Sequence, residues 1–146
     1  MTNIATVEDA VSIAARAHRG QKDKAGAPYL LHALRMMMRM ESEAAMMAAV
    51  LHDVVEDTEW TIERLREAGF SEEVLEAIDC LTHREGEDYE EFVERVRTNQ
   101  IARQVKIADL EDNMNVRRIN QIGPKELERL EKYHRAWRVL TGEDSI

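Results

Sequence analysis

Apolar residues recur at helical spacing from one end of the chain to the other, and no stretch sustains the strict alternation of a half-buried strand. The pattern predicts a first helix from about Thr6 to His18, with Ala10, Ile13, Ala14 and Ala17 on its apolar face and Gly20 just past its end. Residues 20–27 are polar and bounded by glycines, which predicts a loop, and Pro28 suits the first turn of a second helix reaching about Met40. Ser42 can cap a third helix running to about Val54, with Met47, Val50, Leu51 and Val54 as its packing stripe. Thr58 or Thr61 can cap a short helix ending at Gly69, and Ser71, followed by Glu73 and Val74, opens the next. After a loop around Gly86, helices are expected from about Tyr89 to Arg97, Ile101 to Met114 and Pro124 to Leu140. The expected fold class is all-α, a compact single-domain bundle of about seven to eight helices over residues 1–146.

Composition agrees: proline occurs twice and glycine six times in 146 residues, and the hydrophobic share of 44% suffices for a core. The longest apolar run, Ala44 to Leu51, is far too short to span a bilayer, and the N-terminal MTNIATVEDAV lacks the features of an export signal. With Cys80 as the single cysteine, a cytoplasmic home is expected. Cys80 itself reads as a small apolar core residue, and the run of methionines around Met36, Met37 and Met38 as gap-filling in a helical core. The net charge of −9 argues against binding a nucleic-acid polymer or an anionic membrane. Its distribution adds a detail. Between Arg16 and Arg39 six basic residues face one acid, Asp23, so this third of the chain could meet a small anionic ligand.

Among five histidines, only His52 is followed by aspartate, in AAVLHDVVEDT. Adjacent residues of a helix point about 100° apart, so one metal beside the helix is within reach of both His52 and Asp53. Glu56 and Asp57 follow one turn later and, if the helix persists, set two potential general bases beside the pair. In VKIADLEDNM, Asp109 lies between apolar neighbours and needs a partner, either a metal or Lys106 at i−3. His32 follows PYLL, where an imidazole could equally be a buried hydrogen-bonding group. Residue chemistry leaves both readings open.

Three ordered blocks, AHRGQKDKAGAPYLLH, AAVLHDVVEDT and VKIADLEDN, resemble the hydrolase domain of RelA/SpoT-type alarmone enzymes and their small single-domain relatives, within the HD superfamily of metal-dependent phosphohydrolases. The family pattern runs roughly AHxGQxRKSGEPYxxHP, LLHDVVEDT and VKLADRLHNM, and the likeness covers about Ala17 to Met114. The resemblance implies an HD-domain fold in which His32, His52, Asp53 and Asp109 hold one divalent cation, Mn²⁺ first, with Fe²⁺ or Zn²⁺ as alternatives. It further implies that Glu56 and Asp57 activate water and that Asn113 contacts a nucleotide. Arg19, Lys22 and Lys24 would offset phosphate charge.

The chain also departs from the pattern. Asp23 stands where the family has an arginine, Ala33 replaces a proline, Asp112 a histidine and Asn115 an arginine. The implied activity is (p)ppGpp 3′-pyrophosphohydrolysis, with another nucleotide or phosphate ester as the alternative substrate and a metal- or nucleotide-binding sensor as the non-enzymatic alternative. The expected partner is a small anionic nucleotide, with self-association left open.

Overall fold

The computed structural model describes residues 4–142. Among these the chain is helical throughout: α1 (Val7–Ala17), α2 (Tyr29–Met38), α3 (Glu43–Leu51), α4 (Val54–Asp57), α5 (Ile62–Glu67), α6 (Glu72–Cys80), α7 (Tyr89–Arg97), α8 (Gln100–Asn113) and α9 (Pro124–Thr141), with a 3₁₀ turn at Val116–Arg118. The only strand-like feature among the described residues is an isolated bridge between Lys22 and Pro28 that closes the α1–α2 loop. The expected all-α bundle is therefore the observed one.

Helix α3 is the axis of the bundle, packing against α1, α2, α6 and α8. Its sequence EAAMMAAVL is apolar on nearly every side, as a helix surrounded by others requires. Ala45, Ala48 and Ala49 are fully buried and give α1 and α2 room to approach, while Val50 and Leu51 fill the core with Met36, Phe92, Leu110 and Leu140. Side-chain oxygens of Thr6, Ser42, Thr61, Ser71, Asp88 and Asn99 cap six of the helices at N3, so their starts are set locally. At Thr58 or Thr61, the structure selects Thr61 as the cap. Met36 and Met40 are buried and Met37, Met46 and Met47 pack against the core, while Met38 faces solvent. Cys80 is half-buried, its thiol donating to the Arg95 carbonyl at 3.4 Å.

Two boundaries differ from the sequence expectation, and one matters. Helix α2 stops at Met38, two residues early. The expected third helix does not run unbroken to Val54: it ends at Leu51 and restarts as the single turn α4. The cause lies in His52, whose ring Nδ1–H donates to the Ala49 carbonyl at 2.7 Å, the acceptor that a continuing helix would give to the amide of Asp53. Asp53 sits at φ −106°, ψ 1°, outside the helical basin. Because of this break, the side chains of residues 52–57 are not spaced as on one straight helix.

Candidate metal centre and cleft

His32 from α2, His52 from the α3–α4 break and Asp109 from α8 converge, with one ligand-type atom of each lying within 4.8 Å of the others. All three are buried. Asp53 joins through His52, its Oδ2 standing 2.9 Å from His52 Nε2, and it accepts a hydrogen bond from the Tyr29 hydroxyl. Asp53 lies outside the group of three that are all mutually close.

Protons decide what this arrangement can do. His52 has given its Nδ1–H to Ala49, and burial pushes its pKa down to about 4, so the ring is neutral and Nε2 carries a lone pair. That lone pair faces the oxygens of Asp53 and Asp109, at 2.9 and 3.8 Å, and has no hydrogen-bond partner although it is buried. Acceptors facing acceptors repel unless a cation sits among them. Burial and the nearby charge of Asp109 accordingly push the Asp53 carboxyl well above the usual range.

His32 is arranged differently. Its Nε2 meets Asp109 Oδ1 at 2.8 Å and its Nδ1 meets Asp112 Oδ2. Burial alone would lower its pKa, but the two carboxylates outweigh that and raise it, and both ring nitrogens face a carboxylate oxygen. A divalent ion would displace the Nε2 proton and leave Nδ1–H on Asp112. That carboxylate–histidine pairing fixes the tautomer of a ligating ring. Burial alone would also raise the Asp109 carboxyl, yet Lys106 and His32 hold it well below the usual range. Lys106 donates to Asp109 Oδ2 at 2.8 Å, and Asn113 donates to Oδ1 at 3.1 Å. Both partners that the sequence allowed for Asp109, a lysine and a metal-type cluster, are thus present on different oxygens.

The carboxylate pair is divided by the chain's path. Glu56 Oε1 accepts both the backbone N–H of His83, at 3.0 Å, and its ring Nδ1–H, at 2.6 Å. His83 is in turn stacked on Phe92 with ring centroids 3.9 Å apart. Asp57 accepts from Gln21 Nε2 at 3.2 Å, and Gln21 is itself held by the buried His18 at 2.7 Å. Each carboxylate is oriented by a different loop. The His83 and Gln21 contacts were not foreseen from spacing, since they join residues 27 and 36 positions apart.

Beside the cluster opens a cleft of about 530 Å³, whose lining includes Tyr29 and His32 at the cluster end and Arg129, Leu130 and Tyr133 of α9 at the other. Of the residues expected to meet phosphate or nucleotide, Lys22, Lys24 and Asn113 line it, whereas Arg19 is exposed and does not. Burial and the neighbouring charges of Arg129 and Lys132 lower the pKa of Lys24, only partly opposed by Glu126. The cleft wall is therefore crowded with cations, an arrangement that an anion would relieve. Asp23 lines the cleft too, but its Oδ1 caps the backbone N–H groups of Ala25 and Ala27, at 3.0 and 2.9 Å, and its Oδ2 pairs with Arg118 at 3.0 Å. The lysines beside it are not its partners.

Residues 10–119 match the model of the HD domain family, and the chain belongs to that family. Among curated relatives, a GTP pyrophosphokinase of Streptomyces coelicolor is 41% identical over 80 residues, covering 52% of this chain and 9% of the relative. A guanosine-3′,5′-bis(diphosphate) 3′-pyrophosphohydrolase of Haemophilus influenzae is 42% identical over 72 residues, 46% of this chain and 10% of the relative. A human enzyme of the same name is 35% identical over 82 residues, 51% of this chain and 45% of the relative. The chain thus spans about a tenth of these bacterial relatives and under half of the human one. A solved structure of a metazoan SpoT orthologue, described as hydrolysing ppGpp, superposes with a TM-score of 0.76 at 23% identity, covering 96% of this chain and 87% of that one, so the fold is shared. Among the described residues, no helix is long and apolar enough to cross a membrane.

Two outcomes are expected. Asp112→Asn removes the charge that orients His32 and should weaken Mn²⁺ binding by about 10- to 100-fold, measured by calorimetry, with helical content unchanged. An undiminished affinity would mean that Asp112 serves packing alone. In the metal-free chain, His52 takes its proton near pH 6.5 when unfolded but only at about 4 when folded, so its contribution to stability is complete above 6.5 and is lost as pH falls toward 4. His52→Gln should flatten the pH dependence of the urea midpoint across that window, and an unchanged slope would assign the acid sensitivity elsewhere.

Proposed function

We propose that this chain is a metal-dependent phosphohydrolase that removes pyrophosphate from the 3′ position of a guanosine 3′,5′-bis(diphosphate)-type nucleotide. The observation that carries the reading is the orphaned, buried lone pair of His52 Nε2 facing the Asp53 and Asp109 oxygens beside a cation-crowded cleft. Membership of the HD domain family supports the class of chemistry, and the names of the relatives support the substrate.

The donor set of two imidazoles and two carboxylates fits one divalent cation, held by His32, His52, Asp53 and Asp109. Mn²⁺ suits this mixed nitrogen and oxygen set, and Fe²⁺ and Zn²⁺ are alternative occupants. When bound, the cation polarises a phosphoryl oxygen and lowers the pKa of a water molecule. Glu56, fixed through Oε1 by His83, keeps Oε2 free of any described partner and takes the proton of the attacking water. Asp57, held by Gln21, orients that water. Lys22 and Lys24 offset the charge of the phosphate chain, and Asn113, its amide donating to Asp109 and its Oδ1 accepting from Arg118, lines the cleft that the nucleotide would occupy. Water would add to the phosphorus bonded to O3′, that P–O bond would break, and the ribose 3′ oxygen would take back the proton held by Glu56 as pyrophosphate departs. A nucleotide substrate supports a cytoplasmic location for the activity.

One observation favours a second substrate. Asp23 pairs with one nitrogen of Arg118 on the cleft wall, so part of the positive charge there is already partnered within the protein. A nucleotide carrying fewer phosphates is the alternative.

The test is a nucleotide panel assayed with Mn²⁺, reading pyrophosphate separately from orthophosphate. Pyrophosphate release from ppGpp is expected, and the double variant Glu56→Gln, Asp57→Asn should slow it by about 10²-fold or more with metal content unchanged. No release from any nucleotide, or an undisturbed rate in the double variant, would contradict the reading.

A further inference from the structure

Three departures from the resembled pattern, Asp23, Asp112 and Asn115, meet around one side chain. Arg118 donates from Nη2 to Asp23 Oδ2 at 3.0 Å. Its Nη1 reaches Asp112 Oδ2 at 2.9 Å, the Asp112 main-chain oxygen at 2.8 Å and Asn113 Oδ1 at 3.3 Å. Asn115 caps the 3₁₀ turn that carries Arg118, its Oδ1 accepting the Arg117 N–H at 3.2 Å. Three substitutions that look unrelated along the sequence therefore build a single holder for a guanidinium.

The holder leaves part of its charge-bearing group uncommitted. All of these bonds use Nη1 and Nη2, and the Nε–H has no acceptor among the described residues. Arg118 lines the cleft along with His32 and Asn113, and its side chain is 21% exposed. Asp112 Oδ2 accepts from both His32 Nδ1 and Arg118 Nη1, so one oxygen atom separates the guanidinium from a ring of the candidate metal centre. A fixed guanidinium with a free donor, one atom removed from that centre, is suited to an oxygen of a phosphate group.

We infer that Arg118 is a specificity-determining residue of the cleft, held by Asp23 and Asp112 so that it donates to a phosphate oxygen of the substrate. It supplies the cation that position 23 lacks. Asp23 then belongs to the recognition apparatus as the holder, and an arginine there would strip the caps from Ala25 and Ala27 and set like charge against Arg118. The inference rests on the cleft being a phosphate site, and inorganic pyrophosphate tests it without relying on turnover.

Pyrophosphate binding to the Mn²⁺-loaded protein is measured by calorimetry for wild type, Arg118→Ala, Arg118→Lys and Asp23→Arg, alongside ppGpp kinetics and thermal midpoints. Arg118→Ala should weaken pyrophosphate binding and raise KM by about tenfold, the factor that about 1.4 kcal/mol of lost charge-assisted contact gives, with kcat within about threefold. Arg118→Lys should recover part of the loss, and Asp23→Arg should weaken binding rather than strengthen it. If ppGpp is not turned over but pyrophosphate still binds in an Arg118-dependent way, the substrate assignment fails and this inference stands. Unchanged pyrophosphate affinity in a folded Arg118→Ala or Arg118→Lys, or tighter binding by Asp23→Arg, would overturn it.

Discussion

A buried lone pair pointing at carboxylate oxygens is the constraint on which the rest of the site depends. His52 satisfies its own helix with one nitrogen and thereby leaves the other without a proton, deep in the bundle. Neighbours of the same electrostatic sense, Asp53 and Asp109, make that position costly for the empty chain and favourable for a cation. Lys106, His32 and the raised Asp53 carboxyl are the protein's own answers to the charge imbalance. Such compensation is what a site carries when part of its stability comes from what it binds.

The same ring also shapes the backbone. By occupying the Ala49 carbonyl it ends α3, and the single turn α4 restarts with its two carboxylates on a new path. Those carboxylates then reach different loops: Glu56 is gripped by His83 from the α6–α7 connection, and Asp57 by Gln21 from the α1–α2 connection. A rigid alanine-rich axis thus delivers the histidine, while the groups expected to move protons are oriented by loops that also border solvent. Arg118 ties the α1–α2 loop to the segment after α8, so the cleft wall and the metal centre share one network through Asp112.

Much of this is legible in the sequence because its signals are local. Side-chain caps such as Ser42, Ser71 and Asp88, the helical period and the apolar alanine run give the bundle, and the blocks around His32, His52 and Asp109 name residues that the fold brings together. The break at His52 is not legible, because it depends on a side chain capturing its own helix's carbonyl, which no propensity records. The roles of Asp112, His83 and Arg118 are equally hidden. Asp112 meets His32 across 80 residues and Arg118 meets Asp23 across 95, and pairings at that range follow from packing rather than pattern. Read singly, Asp23 and Asp112 look like losses of recognition, whereas together they hold an arginine.

The lone pair of His52 Nε2, buried among carboxylate oxygens, is there for a cation. Crystals grown with Mn²⁺ and measured at the manganese absorption edge test it directly. One anomalous peak per chain is expected, in contact with His52 Nε2, His32 Nε2 and Asp109, with Asp53 turned to join them. Well-ordered crystals showing no peak at that position, with His52 still facing Asp53 and Asp109, would contradict it.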